Sequence, residues 1–174
     1  MTWFSARNIS LSTVPVRSDE IWQLITDPTM LASLTPLVRT IEATDTHWEW
    51  ALNGIEALGL KVEAVFTERM EFVDQRQITF VHDPPIGSRE RAGVQGVYNL
   101  TSAGPNATDL QIDLTLSVDL PLPGISRHAV EPVLLSTMRA TGQRFASNLY
   151  EQLNLDPSTV SVTEVTPPTT RVAQ

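Results

Sequence analysis

The sequence predicts an α+β domain in which a curved antiparallel sheet of six to seven strands packs around one long C-terminal helix. Between residues 38 and 118 the chain is a series of strand-like segments whose apolar residues alternate with polar ones. This pattern is typical of an antiparallel sheet with one buried face. From residue 126 to 153, apolar residues recur three to four positions apart, which indicates a single helix with one apolar face.

The first elements in chain order are a strand at residues 9–14 and two short helices. Ser18 is the predicted N-cap of the first helix, and the two acidic residues after it suit a helix N-terminus. Pro28 ends that helix, because the residue before a proline avoids the α region. The second helix, residues 29–34, stops before Pro36. Two helices joined this closely are expected to close one end of the curved sheet.

The middle of the chain supplies the rest of the sheet. Strands are predicted at residues 38–43, 47–52, 60–72, 75–82, 94–100 and 110–118. The segment 60–72 alternates over 13 residues, whereas a typical strand has about half that length. A strand of this length predicts a long and strongly curved sheet.

The last helix carries two residues that are unusual in helices. Pro132 is compatible with it in the first turn, where the missing N–H costs little. Gly142 costs about 1 kcal/mol relative to alanine and is expected to give clearance to a neighbouring backbone or a ligand. Residues 154–174 are rich in Pro, Ser and Thr and are predicted to be a disordered tail. The folded domain is therefore expected to span residues 1–153.

Composition excludes several classes of function. The 174 residues suit one domain, and 12 Lys and Arg against 20 Asp and Glu give a net charge of −8. This charge argues against binding to nucleic acid or to an anionic membrane. The lack of cysteine excludes disulfides and thiolate catalysis. No secretory signal and no apolar run of about 18 residues is present, so a cytoplasmic location is expected.

Residues 20–28, Glu-Ile-Trp-Gln-Leu-Ile-Thr-Asp-Pro, resemble the V-W-x-x-(I/L)-x-D-P motif that opens the first helix in the START/Bet v 1-like superfamily. This superfamily is also called SRPBCC or polyketide cyclase-like. Its members have the same order of elements as the one predicted here, and the resemblance covers residues 5–153. The resemblance implies a helix-grip fold, with an apolar cavity between the sheet and the last helix. It further implies binding or transport of a small hydrophobic or aromatic molecule, such as a lipid, a polyketide or an isoprenoid-like compound.

Two other functions stay open. One is a polyketide cyclase/aromatase-like enzyme, in which Glu68, Tyr98 or His82 moves protons. The other is a protein-interaction module with a vestigial cavity. A tight inward cluster of these three side chains would favour the enzyme, isolated polar groups would favour a carrier, and a collapsed cavity would favour the interaction module. A monomer and a homodimer are both compatible with the sequence.

Glu68 is the strongest candidate for a functional residue. It is the only charged residue among seven that share a face of the segment 60–72. A buried carboxylate requires a partner or a raised pKa, and it could bond a ligand hydroxyl or act as a general base. The alternatives are a position at the cavity rim or a pair with an arginine such as Arg144. His82 is in phase with inward residues, where a histidine bonded to the backbone is the commoner situation. Tyr98 would need a polar partner if buried.

The predicted ligand pocket combines aromatic, apolar and polar side chains from the inner face of the sheet and from the last helix. Its expected lining is Trp48, Trp50, Phe66, Glu68, Met70, Phe80, Tyr98, Leu134, Met138 and Phe145. The three histidines have no metal-ligand spacing, and no phosphate-binding or dinucleotide-binding motif is present. Neither a metal nor a cofactor is therefore expected.

Overall fold

The computed structural model of the chain describes residues 2–57, 60–62 and 64–165. Its elements in chain order are β1 (Thr2–Val14), α1 (Ser18–Ile25), α2 (Pro28–Leu34), β2 (Val38–Ala43), β3 (His47–Leu52), β4 (Ile55–Ala57), β5 (Leu60–Val62), β6 (Val65–Val73), β7 (Gln77–His82), β8 (Ala92–Gly104), β9 (Ala107–Leu120), α3 (Arg127–Gln152) and β10 (Thr163–Val165).

The sheet is antiparallel and has eight strands within the described residues, in the order β10-β1-β9-β8-β7-β6-β3-β2. The α+β helix-grip prediction is confirmed. The sheet has one strand more than seven, the larger of the two predicted numbers. The additional strand is β10, which comes from the segment predicted to be disordered. Within the described residues, β4 and β5 form a separate two-stranded sheet.

The predicted 13-residue strand at 60–72 is divided in the structure. β5 belongs to the separate β4–β5 hairpin, whereas β6 lies in the main sheet between β3 and β7. The pairing of β3 with β6 ends at Ala51 and Val65, and the Leu52 amide donates to the carbonyl of Ala64 at 2.9 Å. Alternation of apolar residues was a correct signal for strand structure, but it carries no information on which strand is the partner. The division was therefore not predictable from this pattern.

Asp27 and Pro28 separate α1 from α2 as predicted. The Asp27 carboxylate accepts a hydrogen bond from the Met30 amide at 2.9 Å, and Pro28 occupies the first turn of α2. The N-cap of α1 is Arg17 rather than the predicted Ser18. The backbone amide of Arg17 donates to the carboxylate of Glu20 at 3.3 Å. A side chain from the first turn of the helix thus accepts from the N-cap amide.

α3 is one helix, as predicted, and it packs across the concave face of the sheet. Two hydrogen bonds fix its C-terminal half. The Tyr150 hydroxyl donates to the backbone carbonyl of Thr13 on β1 at 3.0 Å. The side-chain amide of Asn148 donates to the backbone carbonyl of Leu34 on α2 at 2.9 Å. Pro132 is the sixth residue of the helix and lies beyond the first turn, so the condition under which a proline costs little is not met. Along the described ranges, none of the helices combines the length and the apolar character needed to cross a membrane.

The tail does not agree with the prediction of disorder over residues 154–165. Thr163–Val165 pairs with β1 in the register Leu11 to Thr163 and Ile9 to Val165. Leu155 and Val160 pack against the core. The physical reason is the free edge of β1, whose unpaired backbone groups give even a short polar segment a place to pair. Residues 166–174 of the predicted tail lie outside the described residues.

Removal of the segment from residue 157 onward is expected to lower the stability of the protein. Removal of a disordered tail would leave the stability unchanged. A chain ending at Asp156 should lose about 1–2 kcal/mol of unfolding free energy through the exposure of Val160, or roughly 3–6 °C at this size. The matched control is a chain ending at Val165, which keeps β10. Equal melting temperatures for the two chains by calorimetry would show that the segment does not stabilise the sheet.

Candidate ligand-binding cavity

A cavity of about 150 Å³ lies between the concave face of the sheet and α3. Residues from α1, α2 and the connection to β2 line the end of the cavity that the short helices were predicted to close. The lining comprises Asn8, Ser10, Ile25, Leu31, Thr35, Leu37, Val38, Trp50, Leu52, Phe66, Glu68, Met70, Ile78, Phe80, Val94, Tyr98, Ile112, Leu114, Leu116, Thr137, Met138, Thr141, Gly142 and Phe145. Most of these residues are apolar, as expected for a site that holds an apolar molecule.

The alternation of the strands places the wall residues. On β6, Phe66, Glu68 and Met70 point inward, whereas Val65 is exposed on the outer face. The register of β6 with β7 puts Met70 opposite Phe80, so that these inward side chains lie on neighbouring strands. Eight of the ten predicted pocket residues line the cavity: Trp50, Phe66, Glu68, Met70, Phe80, Tyr98, Met138 and Phe145.

The other two predicted pocket residues are buried but do not line the cavity. Trp48 packs against Trp50 and Phe72, with ring centroids 6.2 and 5.8 Å away. Leu134 is fully buried in the N-terminal half of α3. Both predictions identified the correct face of the element. They were wrong about the cavity because a repeat pattern does not show how far a cavity extends along a strand or a helix.

Several residues that line the cavity are partly exposed. They include Leu37 in the connection from α2 to β2, Thr141 and Gly142 on α3, and Val94 and Tyr98 on β8. By contrast, Phe66 and Met70 on the sheet wall are buried.

Glu68 is buried in the wall, with 2 % of its surface exposed. Burial raises the pKa of Glu68 well above its usual range, and the nearby Trp50 indole acts in the opposite direction. Within the described residues, neither Glu68 Oε2 nor Trp50 Nε1 has a hydrogen-bond partner of acceptable geometry. The suggested pair with Arg144 is not formed, because Arg144 is exposed on α3. Burial without a cationic partner in the described part of the chain therefore favours the neutral form of Glu68.

Tyr98 is partly buried and faces the same cavity as Glu68. Burial is the main cause of the raised pKa of its hydroxyl, and the neighbouring Glu68 adds to it. The ring makes an edge-to-face contact with Phe80, with centroids 5.4 Å apart. Glu68 and Tyr98 thus form the titratable part of the cavity wall.

His82 is not part of this pair. It ends β7 opposite Glu68, but its Nε2 lies 2.8 Å from Oε2 of Glu90. The Glu90 carboxylate also accepts from the Thr67 amide at 2.9 Å and from the Thr67 hydroxyl at 2.8 Å. His82 therefore helps to hold the 83–91 loop against the sheet, and the three-residue inward cluster considered from the sequence is reduced to two residues.

Two polar wall residues were not identified from the sequence. Asn8 and Ser10 lie on the inner face of β1, are buried and line the cavity. The strand was predicted to begin only at residue 9, so Asn8 was not considered. The missed signal was the alternation that extends back through Phe4 and Ala6, which are both buried. No group of three or more His, Asp or Glu residues suited to a metal ion occurs in the parts of the chain that the structure covers.

Gly96 and Gly142 have different roles. A Cβ on Gly96 would lie 2.2 Å from the backbone oxygen of Asp113, so this glycine permits the close approach of β8 to β9 and does not widen the cavity. A Cβ on Gly142 would meet no atom within 4 Å. Gly142 therefore leaves open space in the cavity lining, in agreement with the clearance expected for a ligand.

Alanine substitutions should separate these two roles. Gly142→Ala is expected to raise the free energy of unfolding by about 1 kcal/mol, because a helical glycine is replaced without a clash. The corresponding rise in melting temperature is roughly 2–4 °C. Gly96→Ala is the control and should be destabilising, since its Cβ overlaps a backbone atom. A loss of stability in Gly142→Ala would show that the site has no free space.

Comparison with known proteins supports the fold. A conserved protein from Geobacillus kaustophilus matches with a TM-score of 0.64 and 12% identity, over 90% of this chain and 98% of that one. A START superfamily protein from Mycobacterium smegmatis matches with a TM-score of 0.59 and 17% identity, over 84% and 97%. The Zhui aromatase/cyclase from Streptomyces sp. R1128 has a TM-score of 0.57 and 14% identity, over 88% and 94%.

These matches define the class of protein at the level of fold. The chain has the helix-grip fold of START-like and polyketide cyclase-like proteins, as its first-helix motif indicated. No family model matches the sequence, and no curated protein matches it either. At identities of 12–17% in these three structures, the likeness concerns the fold alone, and function depends on the site.

Proposed function

We propose that this protein binds a small hydrophobic molecule of about the size of one ring in the cavity between the sheet and α3. The observation that carries this proposal is the cavity itself, which is lined mostly by apolar side chains and has a volume of about 150 Å³. Apolar cavities of about this volume in other proteins stay dry and accept benzene. Cavities for drug-sized ligands are typically about 300–1,000 Å³, so the volume favours a compact ligand.

The identity and position of the polar groups favour a binding protein over an enzyme. Glu68 and Tyr98 face the cavity, whereas His82 is engaged by Glu90. The open cavity also argues against an interaction module in which the cavity is vestigial. A carrier or sequestering protein for a lipid-like, polyketide-derived or isoprenoid-like compound with a single ring agrees with these features.

A cyclase/aromatase-like reaction is the second candidate, and one observation favours it. Glu68 and Tyr98 are two acids with raised pKa values on one cavity wall, and such groups are common in active sites. A substrate longer than one ring would require a larger cavity than the observed one. The two candidates differ in the fate of the bound molecule, which a carrier releases unchanged.

A size series of ligands tests the proposed function. Toluene at 100 times its dissociation constant should stabilise the protein by about 2.7 kcal/mol, which is roughly 5–10 °C at this chain length. Naphthalene should give a smaller shift at the same concentration, because its second ring exceeds the cavity. Native mass spectrometry of the purified protein should detect a compound of single-ring size. The proposal is wrong if neither toluene nor any other single-ring compound changes the melting temperature.

A further inference from the structure

We infer that Glu68 and Trp50 form a polar end of the cavity that selects neutral ligands with a carbonyl or ether oxygen on a ring-sized apolar body. This inference rests on the proposed function and adds the chemical class of the ligand. Its basis is a pair of buried polar groups that lack partners within the described residues, on a wall that is otherwise mostly apolar.

The sheet holds the two groups beside each other. Trp50 lies on β3 and Glu68 on the adjacent β6, where Trp50 pairs in register with Phe66. The Trp50 ring stacks on the Phe66 ring at an interplanar angle of 5° and a centroid distance of 6.3 Å. This stacking holds the indole in place on the cavity wall. Its N–H lies near enough to Glu68 to act on the pKa of that carboxyl, but it makes no hydrogen bond of good geometry within the described residues.

A count of donors and acceptors shows what the ligand must supply. The indole N–H of Trp50 is only a donor, and a protonated Glu68 contributes one O–H donor and one carbonyl acceptor. The Tyr98 hydroxyl both donates and accepts, so it does not change this balance. Trp50 Nε1 and Glu68 Oε2 are the two wall atoms that are buried without a partner within the described residues. When Glu68 is protonated on Oε2, both atoms are donors, and a buried donor without a partner is costly. A ligand oxygen would satisfy it.

The charge around Glu68 supports a neutral ligand. The groups that face it from the adjacent strands are Trp48, Trp50 and His82, and Tyr98 acts on it across the cavity. His82 is engaged by Glu90, and no Arg or Lys forms an ion pair with Glu68 in the described part of the chain. A carboxylate ligand would have no cation to pair with here. An amine would require Glu68 to ionise in a buried site.

Four matched six-membered-ring compounds test this inference. Cyclohexanone offers a neutral acceptor, and methylenecyclohexane has the same shape without the oxygen. Cyclohexanecarboxylate is an anion, and cyclohexylamine is a cation at neutral pH. Cyclohexanone should bind about tenfold more tightly than methylenecyclohexane, as one to two hydrogen bonds predict. It should also shift the indole N–H resonance of Trp50, assigned with Trp50→Phe, whereas methylenecyclohexane should not. The two charged compounds should bind more weakly than cyclohexanone.

Two variants separate the role of Glu68 from a general effect on the fold. Glu68→Gln keeps a donor and an acceptor and should retain the preference for cyclohexanone. Glu68→Leu should reduce that preference to about twofold, as loss of most of the hydrogen bonding predicts.

Equal binding of cyclohexanone and methylenecyclohexane to the native protein would overturn the inference and leave the proposed function intact. Tightest binding of cyclohexylamine would also overturn it, since Glu68 would then act as a carboxylate. Absence of binding by all four compounds would overturn the proposed function as well.

Discussion

Phe66→Ala is expected to lower the free energy of unfolding by about 3–5 kcal/mol, because the substitution removes a buried aromatic ring from the cavity wall. Phe66 is 2 % exposed and stacks on Trp50. Its loss would both reduce apolar burial and enlarge the existing cavity, and the surrounding strands can only partly collapse into that space. Urea denaturation followed by far-UV circular dichroism measures the change. The enlarged cavity should also bind naphthalene more tightly than the native protein does.

Phe72→Ala is the matched control for this prediction. Phe72 lies on the same strand and the same face as Phe66, but it is 40 % exposed and lies outside the cavity. Its truncation should cost about 1–2 kcal/mol, in proportion to the smaller area that it buries, and should leave the preference for single-ring ligands unchanged. Equal losses of stability for the two variants would contradict the assignment of Phe66 to the cavity wall.

Glu68→Gln is expected to make the protein more stable at neutral pH and to change how its stability depends on pH. The pKa of Glu68 is raised above the ordinary value of 4.5 by burial, so the folded state binds this proton more tightly than the unfolded state does. The stability of the native protein should therefore fall as pH rises from about 4.5 to the raised pKa, and should then level off. The contribution of one such group to the slope is at most about 1.4 kcal/mol per pH unit.

The difference between native and Glu68→Gln proteins isolates this one group, because the other acidic residues are common to both. Chemical denaturation at pH values from 4 to 9 would give the two profiles. Parallel profiles would mean that Glu68 has the same pKa in the folded and unfolded states, and that it is not the neutral acid that the ligand class requires.

Much of the fold could be predicted because its signals are local. Alternation placed Phe66, Glu68 and Met70 on one face, and the spacing of Val130, Leu134, Met138 and Phe145 predicted a single helix, which the structure confirms. The Asp27-Pro28 boundary followed from backbone constraints that act within a few residues. Eight of ten predicted lining residues face the cavity because, in this fold, the inner face of the sheet is also the cavity wall.

The remaining features depend on contacts between distant parts of the chain. β10 forms because β1 has a free edge, and the composition of residues 154–165 does not reveal that edge. His82 is in phase with inward residues, yet Glu90 removes it from the cavity. Trp48 and Leu134 lie on the expected faces, but the cavity ends before it reaches them. Periodicity indicates the face of an element, whereas the extent of a cavity depends on how the elements are placed.

Titration of toluene into the native protein and two leucine variants of α3 tests the central claim most directly. Gly142 lines the cavity and has free space around its Cβ position, whereas the adjacent Gln143 is exposed and does not line the cavity. Isothermal titration calorimetry should show one binding site in the native protein and in Gln143→Leu. In Gly142→Leu, where the new side chain extends from the cavity lining into this free space, affinity should fall by at least roughly tenfold, or about 1.4 kcal/mol. Equal affinities in the two folded variants would contradict the claim that the ligand binds between the sheet and α3.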